Sequence, residues 1–413
     1  MGKREENFIE KMKCHYCYKD KTTSNGILFF TSEDKKHCIC ENCVDILHDL
    51  AQVTRKSEVF DIAGLDLKKK TKTVSNYTVP DDFTPQKIKE QLDEYVIGQE
   101  RAKKVLSIAA YNHYIRCANP DLNIDKTNVL LCGPSGCGKT FLVETLANIL
   151  DVPFVTIDIT AYSETGYKGK DPSEIIQALV AVANGDIEKA QRGIVFIDEI
   201  DKTAGMGTGS GVGDVKVQSA LLKMVDGVEQ DFGTAEHGES LVINTRNIMF
   251  IFAGAFAGID EKKQKRTGSM GFNSTTVGKN ASSVPLDTKD LISYGMLPEL
   301  IGRMHRIIEM NPLTQNDLID ILKNSKKSAC KQYIKLLEAQ GISLEILDES
   351  YETIANAAIS SKLGARALRG IVEDTMEDWL YNAPTMMQET KEKKIIISKD
   401  MVKDGKGNYV EKK

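Results

Sequence analysis

The sequence predicts an α/β protein: a parallel sheet with flanking helices, followed by a smaller, mostly helical domain and preceded by a small cysteine-built module. Three observations carry that prediction. A glycine-rich octet at 133–140 separates a short apolar run from a stretch with helical periodicity, an apolar run at 194–197 ends in two adjacent carboxylates, and two Cys-x-x-Cys pairs fall near the start. At 413 residues, 41% hydrophobic and 27% charged, the chain is long enough for two or three domains with a sizeable core.

The cysteine module comes first. Cys14 and Cys17 form one knuckle and Cys40 and Cys43 a second, a spacing that can place four thiolates tetrahedrally around Zn²⁺. A domain this small buries too little apolar surface to stand alone, so the metal would supply much of its folding energy. Cys38 leaves an alternative open, because it could serve in place of Cys40; the mirrored spacing favours Cys40. Residues 44–53 read as a short helix, and the lysines at 68–70 with the polar run after them as a solvated linker. Nine cysteines, a charged start and no apolar run of membrane-spanning length lead to the expectation of a cytosolic protein with reduced or metal-bound thiols and no membrane partner. The first 82 residues balance 14 Lys/Arg against 14 Asp/Glu and the net charge is −5, so no basic block announces a nucleic-acid partner.

Beyond the linker, Thr84 is placed to cap a helix that starts at Pro85. A second helix should follow Gln99, with Ala102, Val105, Leu106, Ala109 and Ala110 along one stripe. Residues 128–132 read as a buried strand and 141–150 as a helix. Between them Gly133, Pro134, Ser135, Gly136, Cys137, Gly138, Lys139 and Thr140 fit G-x-x-x-x-G-K-[ST]. Glycines let the backbone turn its N–H groups toward phosphate oxygens, and the helix N-terminus adds partial positive charge. Lys139 then reaches the β- and γ-phosphates while Thr140 offers a hydroxyl to Mg²⁺.

Residues 154–158 are a second strand and 194–198 a third, and an open α/β sheet holds its ligand at the carboxyl ends of its strands. There Asp198 would hold Mg²⁺, directly or through water, and Glu199 would polarise the attacking water as general base. Residues 247–253 are a further strand, whose end offers no polar side chain to sense nucleotide. The alternating glycines at 205–213 are expected to be mobile. Residues 258–289 are polar, weakly periodic and too long for an ordinary connection, hence functional or disordered. From 316 onward, helical stripes alternate with two strand-like runs, 342–346 and 394–397.

Together the octet, IVFIDEIDK at 194–202, LPELIGR at 297–303 and GARALR at 364–369, behind four paired cysteines, resemble the ClpX family of AAA+ unfoldases. The resemblance implies a treble-clef-like zinc-binding domain at 8–55, a linker at 56–82, an AAA+ P-loop NTPase large domain at 83–312 and a small, mostly helical lid domain at 313–413. It further implies a homohexamer that hydrolyses ATP at subunit interfaces, threads unfolded or tagged proteins through a central pore, and partners a ClpP-type peptidase and adaptors. Val96, Ile97, Gly98, Gln99 and Phe141, together with 111–114, match the family's nucleotide surroundings, Arg303 its arginine finger acting in trans, and Arg366 its sensor-2 arginine.

Departures from the family pattern concern the substrate path. Gly166-Tyr167-Lys168-Gly169 keeps the gripping ring of Tyr167 but sets a cation beside it, and 234–239 lack the strong cations of the family's pore entrance. Met270-Gly271-Phe272 resembles the tripeptide that docks on the peptidase. A ClpX-like remodeller without a peptidase, and a zinc-ribbon ATPase acting on nucleic acid, are the other readings; the balanced N-terminal charge counts against the second.

Overall fold

The computed structural model describes residues 29–31, 38–40, 44, 83–119, 121–122, 124–162, 174–204, 211–227, 229–234, 240–268, 284–389 and 394–410. The chain divides into two units, 1–74 and 75–413. In the first, β1 (Phe29–Thr31) pairs antiparallel with β2 (Cys38–Cys40), register Phe29↔Cys40 and Thr31↔Cys38, and Cys38 is buried. Cys14, Cys17 and Cys43 lie outside the described residues, as do Tyr167, Lys168, Met270, Gly271 and Phe272.

The second unit opens with α1 (Pro85–Asp93), where Thr84 accepts from the Lys87 amide across 3.2 Å, the cap expected from its hydroxyl. Next comes α2 (Glu100–Ala118), whose stripe of Ala102, Leu106, Ala109 and Ala110 is buried. Then β3 (Val129–Cys132), α3 (Lys139–Leu150), β4 (Phe154–Asp158), α4 (Glu174–Val182), α5 (Ile187–Gln191) and β5 (Ile194–Asp198) alternate along the chain. After α6 (Gly211–Val225), β6 (Glu229–Thr234) and β7 (Ser240–Asn244) pair antiparallel with an irregularity between Asp231 and Gly233, and β8 (Met249–Gly254) re-enters the sheet. Helices α7 (Ile259–Gly268), α8 (Thr288–Tyr294) and α9 (Pro298–Gly302) lead to β9 (Arg306–Glu309).

The sheet order is β4-β5-β8-β3-β9, every neighbouring pair parallel. Parallel sheets need cover on both faces, which explains why the inner strands β3, β5 and β8 are continuous apolar runs rather than alternating ones; the edge strands β4 and β9 are partly exposed. Successive side chains point to opposite faces. Accordingly Leu130, Val195, Ile197, Phe250 and Phe252 join one core, while Val129, Leu131, Ile194, Phe196 and Ile251 join the other with α1, α2 and α3.

Beyond the sheet, α10 (Gln315–Lys323), α11 (Ala329–Glu338), β10 (Ser343–Ile346), α12 (Asp348–Ser360), α13 (Ala365–Glu389) and β11 (Lys394–Ile397) share a third core. The two strand-like runs pair in parallel with Leu344, Ile346, Ile395 and Ile397 inward. Their exposed Lys394 and Glu345 form an ion pair across 2.6 Å.

Two expectations are corrected. Gly211 and Gly213, read as part of a mobile glycine run, form the first turn of α6. Within 258–289, residues 259–268 are helical although α7 presents no apolar stripe. Buried Lys263 anchors that helix by pairing with Glu309 at the end of β9 and, across 3.2 Å, with Asp260. The β6–β7 pair had no counterpart in the sequence reading.

Candidate functional site

The octet forms the turn between the carboxyl end of β3 and the start of α3. Gly136 and Gly138 have φ of 80° and 95°, the left-handed region that costs a residue with Cβ strain. Nothing lies within 4 Å of where a side chain at Gly138 would begin. Lys139 is 8% exposed, and its ammonium donates to the carbonyls of Gly133 (2.6 Å) and Pro134 (3.0 Å), filling the loop with its own cation. Burial pushes the Cys137 thiol up, consistent with its role as apolar filler beneath the turn.

Thr140 Oγ1 donates to Asp198 Oδ2 across 3.1 Å, bringing the end of the octet and the end of β5 together. Glu199 follows in a left-handed conformation, φ 58°, with its N–H on Asp198 Oδ1 at 2.8 Å. A hydroxyl and a carboxylate converging beside the phosphate loop are the hard oxygen donors that Mg²⁺ takes, and the residues present therefore fit the metal. Asp201, unassigned by the sequence reading, is 4% exposed and accepts from the amides of Ala255 and Phe256, each at 3.2 Å. It thereby ties the end of β5 to the end of β8, at the place where no polar sensor side chain could be found.

A cavity of about 350 Å³ adjoins the octet between the sheet and the C-terminal helices. Val96, Ile97, Phe141, Cys137 and Arg366 line it, alongside Leu322 and Gln332 of α10 and α11. Phe141 also receives the Lys327 ammonium 5.6 Å from its ring centroid. Residues 111–114 do not line this cavity. Tyr111 stacks on Phe83 at 5.8 Å, while His113 and Tyr114 hydrogen-bond the carbonyls of Asn247 and Arg192.

The turn before α13 touches the octet directly. Lys362 and Gly364 have φ of 59° and 57°, a Cβ on Gly136 would strike the Leu363 carbonyl, and the Ala365 amide donates to Gly136 O at 3.4 Å. Gln99 makes the other link: its amide donates to Cys137 O (3.3 Å) and Asn311 O (2.7 Å) and accepts from the Asn311 amide (3.2 Å). Val96 to Gln99 were legible by motif; the contacts Gln99 makes were not, since its partners are distant in sequence.

Arg303 lies elsewhere. It caps α9, donates through its amide to Leu300 O, and is 53% exposed, with Nε 2.5 Å from Asp226 Oδ1.

This arrangement of phosphate loop after β3, paired carboxylates at the end of β5 with β8 between the two strands, and a helical domain against the loop defines a two-domain P-loop ATPase. Residues 124–307 match the model for the AAA domain (Cdc48 subfamily), and residues 313–397 match that for the C-terminal, D2-small domain of ClpB protein. Over 396 residues the chain is 37% identical to the ATP-dependent Clp protease ATP-binding subunit ClpX 2 of Wolinella succinogenes, covering 93% of this chain and 94% of that protein. The ATP-dependent Clp protease ATP-binding subunit ClpX of Treponema denticola is 37% identical over 409 residues, 94% of this chain and 93% of that one. That of Bacteroides fragilis is 36% identical over 406 residues, 94% of each. The chain belongs to the ClpX family. It is an AAA+ ATPase that uses ATP with Mg²⁺, and not itself a peptidase. No helix among the described residues is long and apolar enough to cross a membrane.

Proposed function

We propose that this chain is an ATP-dependent protein unfoldase that works as a homohexamer in the cytoplasm and delivers threaded substrates to a ClpP-type peptidase. The observation that carries the assembly is the place of Arg303. Val129 pairs with Arg306 and Cys132 with Glu309, so Arg303, ahead of Arg306, stands at the amino end of the sheet while the octet stands at the carboxyl end. The intervening strand of four residues spans about 10 Å or more, which puts Arg303 out of reach of its own phosphate loop. An arginine acting on phosphate from there acts on a neighbour's, and hydrolysis then depends on a closed ring.

Within one site, Lys139 would exchange its two carbonyls for the β- and γ-phosphates, Val96, Ile97 and Phe141 would bound the base, and Glu199 would accept the attacking water's proton. Thr140 and Asp198 would hold Mg²⁺, which supplies charge neutralisation on the phosphates. Arg366, in the first turn of α13, would report phosphate to the small domain, and the contact of Leu363 with Gly136 supports such a route. Tyr167 would grip the substrate, and Met270, Gly271 and Phe272 would dock the peptidase. Cys14, Cys17, Cys40 and Cys43 would hold Zn²⁺, a reading that rests on their spacing. The organisation we assign is a zinc-binding domain at 8–55, a linker at 56–82, a large domain at 83–312 and a small one at 313–413.

The test is which polymer stimulates the ATPase. Unfolded protein should raise turnover and duplex or single-stranded DNA should not; stimulation by DNA alone would overturn the unfoldase reading.

A further inference from the structure

Arg303 is held at two levels. Its main-chain carbonyl accepts from the amide of Asn128, a side chain only 2% exposed, at 3.0 Å. Its guanidinium meets Asp226 side-on, Nε to Oδ1 at 2.5 Å and Nη2 to Oδ2 at 3.4 Å. Asp226 is itself fixed: it follows the last turn of α6, its amide donates to Leu222 O at 3.0 Å, and Gly227 behind it packs where a Cβ would stand 3.1 Å from Arg246 Cα.

An exposed ion pair contributes little to folding, so a carboxylate on an anchored main chain facing an exposed arginine calls for another account. A guanidinium has five N–H donors in a planar fork. Asp226 uses those of one edge and leaves Nη1 and the outer hydrogen of Nη2 for a second, external anion. Without Asp226 the long side chain would sample many rotamers, and the fork would have to be oriented anew for each turnover.

We propose that Asp226 is the positioning residue for Arg303, holding its guanidinium side-on so that the remaining fork is presented to the phosphate at a neighbouring subunit's site. The inference rests on the reading of Arg303 as a finger acting in trans. It also makes α6 the element that sets finger geometry, since Asp226 is fixed to that helix's final turn.

The experiment uses the full-length protein, with Arg303→Ala, Asp226→Ala and Asp226→Asn assayed side by side for ATPase, nucleotide affinity, assembly and melting temperature. Misplacing a catalytic group costs about 10²-fold, so Asp226→Ala should lower kcat by about that factor and Asp226→Asn by less, with affinity, assembly and melting temperature unchanged. Asp226→Ala added to Arg303→Ala should cost nothing more, because both act through one group. Mixing Asp226→Ala with Glu199→Gln should restore activity, since the Glu199→Gln subunit brings an intact finger to a neighbour with an intact general base. Full ATPase in Arg303→Ala would remove the finger reading itself. Inactive Arg303→Ala with fully active Asp226→Ala and Asp226→Asn would overturn the positioning role alone. Loss of kcat without rescue in mixed rings, or with a lowered melting temperature in both Asp226 variants, would reduce Asp226 to a structural residue and overturn it as well.

Discussion

Thr140 and Asp198 are 58 positions apart in the chain and 3.1 Å apart in space, hydroxyl to carboxylate, at the point where the phosphate loop meets the end of β5. Glu199 hangs from the same turn in a left-handed conformation. From this follows a division of labour. Asp198→Asn should raise the Mg²⁺ concentration needed for half-maximal ATPase. Glu199→Gln should keep nucleotide binding yet lower turnover by at least about 10²-fold, because an amide cannot accept the water's proton. Steady-state ATPase against Mg²⁺ and against ATP separates the two; a Glu199→Gln enzyme near wild-type rate excludes that carboxylate as base.

A second expectation concerns acid stability. His113 is fully buried, and burial first, then the charges of Arg116 and Lys126, hold its pKa down to about 3 from the ordinary 6.5. Between those values the unfolded chain binds a proton that the folded chain refuses, so stability falls as pH drops through that window. Lys126, pushed down by burial to about 7 from 10.5, has the same sign at higher pH: its contribution to stability grows as pH rises from 7 toward 10.5. From pH 6.5 to 5 the His113 term amounts to about 2 kcal/mol. His113→Gln should keep the donor to Asn247 O and flatten that limb. Urea midpoints of both proteins across pH 7.5 to 5 give the comparison, and equal slopes would refute it.

The inner strands of the sheet were legible because they are buried on both faces and so appear as unbroken apolar runs, whereas edge strand β9, Arg306–Glu309, was not read; Thr84, Pro85 and Gly138 mark helix starts by local chemistry. What escaped had no local signature. Strand β6, with Glu229, Asp231 and Gly233, lacks apolar alternation, and its pairing with β7 is tertiary. Helix α7 is polar beyond Ile259 and held by Lys263 reaching Glu309, 46 positions away. The octet and its carboxylates could be read at once, since a motif fixes their spacing. Gln99 bridging to Asn311 across 212 positions, and Arg303 meeting Asp226 across 77, could not.

Metal content tests the N-terminal assignment. One Zn²⁺ per chain is expected, lost in Cys14→Ser or Cys43→Ser and kept in Cys38→Ser, with the ATPase surviving the loss. Zinc lost in Cys38→Ser but kept in Cys40→Ser would move the ligand from Cys40 to Cys38.

The tripeptide at 270–272 places two large apolar side chains around a glycine in a polar stretch. Phe272→Ala should stop degradation of a tagged substrate by a ClpP-type peptidase while leaving its unfolding and the ATPase intact, since in the proposed hexamer six weak contacts would act by avidity and all six would be weakened together. Equal loss of unfolding and degradation would place Phe272 within the unfolding machinery instead.

The central claim is that ATP hydrolysis in this chain is coupled to pulling proteins apart, and the most direct measurement is the fluorescence of a tagged, folded fluorescent protein in the presence of the full-length protein and a trapping agent for unfolded chains. The account predicts loss of fluorescence with ATP and Mg²⁺, and none with Glu199→Gln. Undiminished fluorescence across a panel of tags and unfolded-protein substrates, alongside vigorous ATPase, would contradict it.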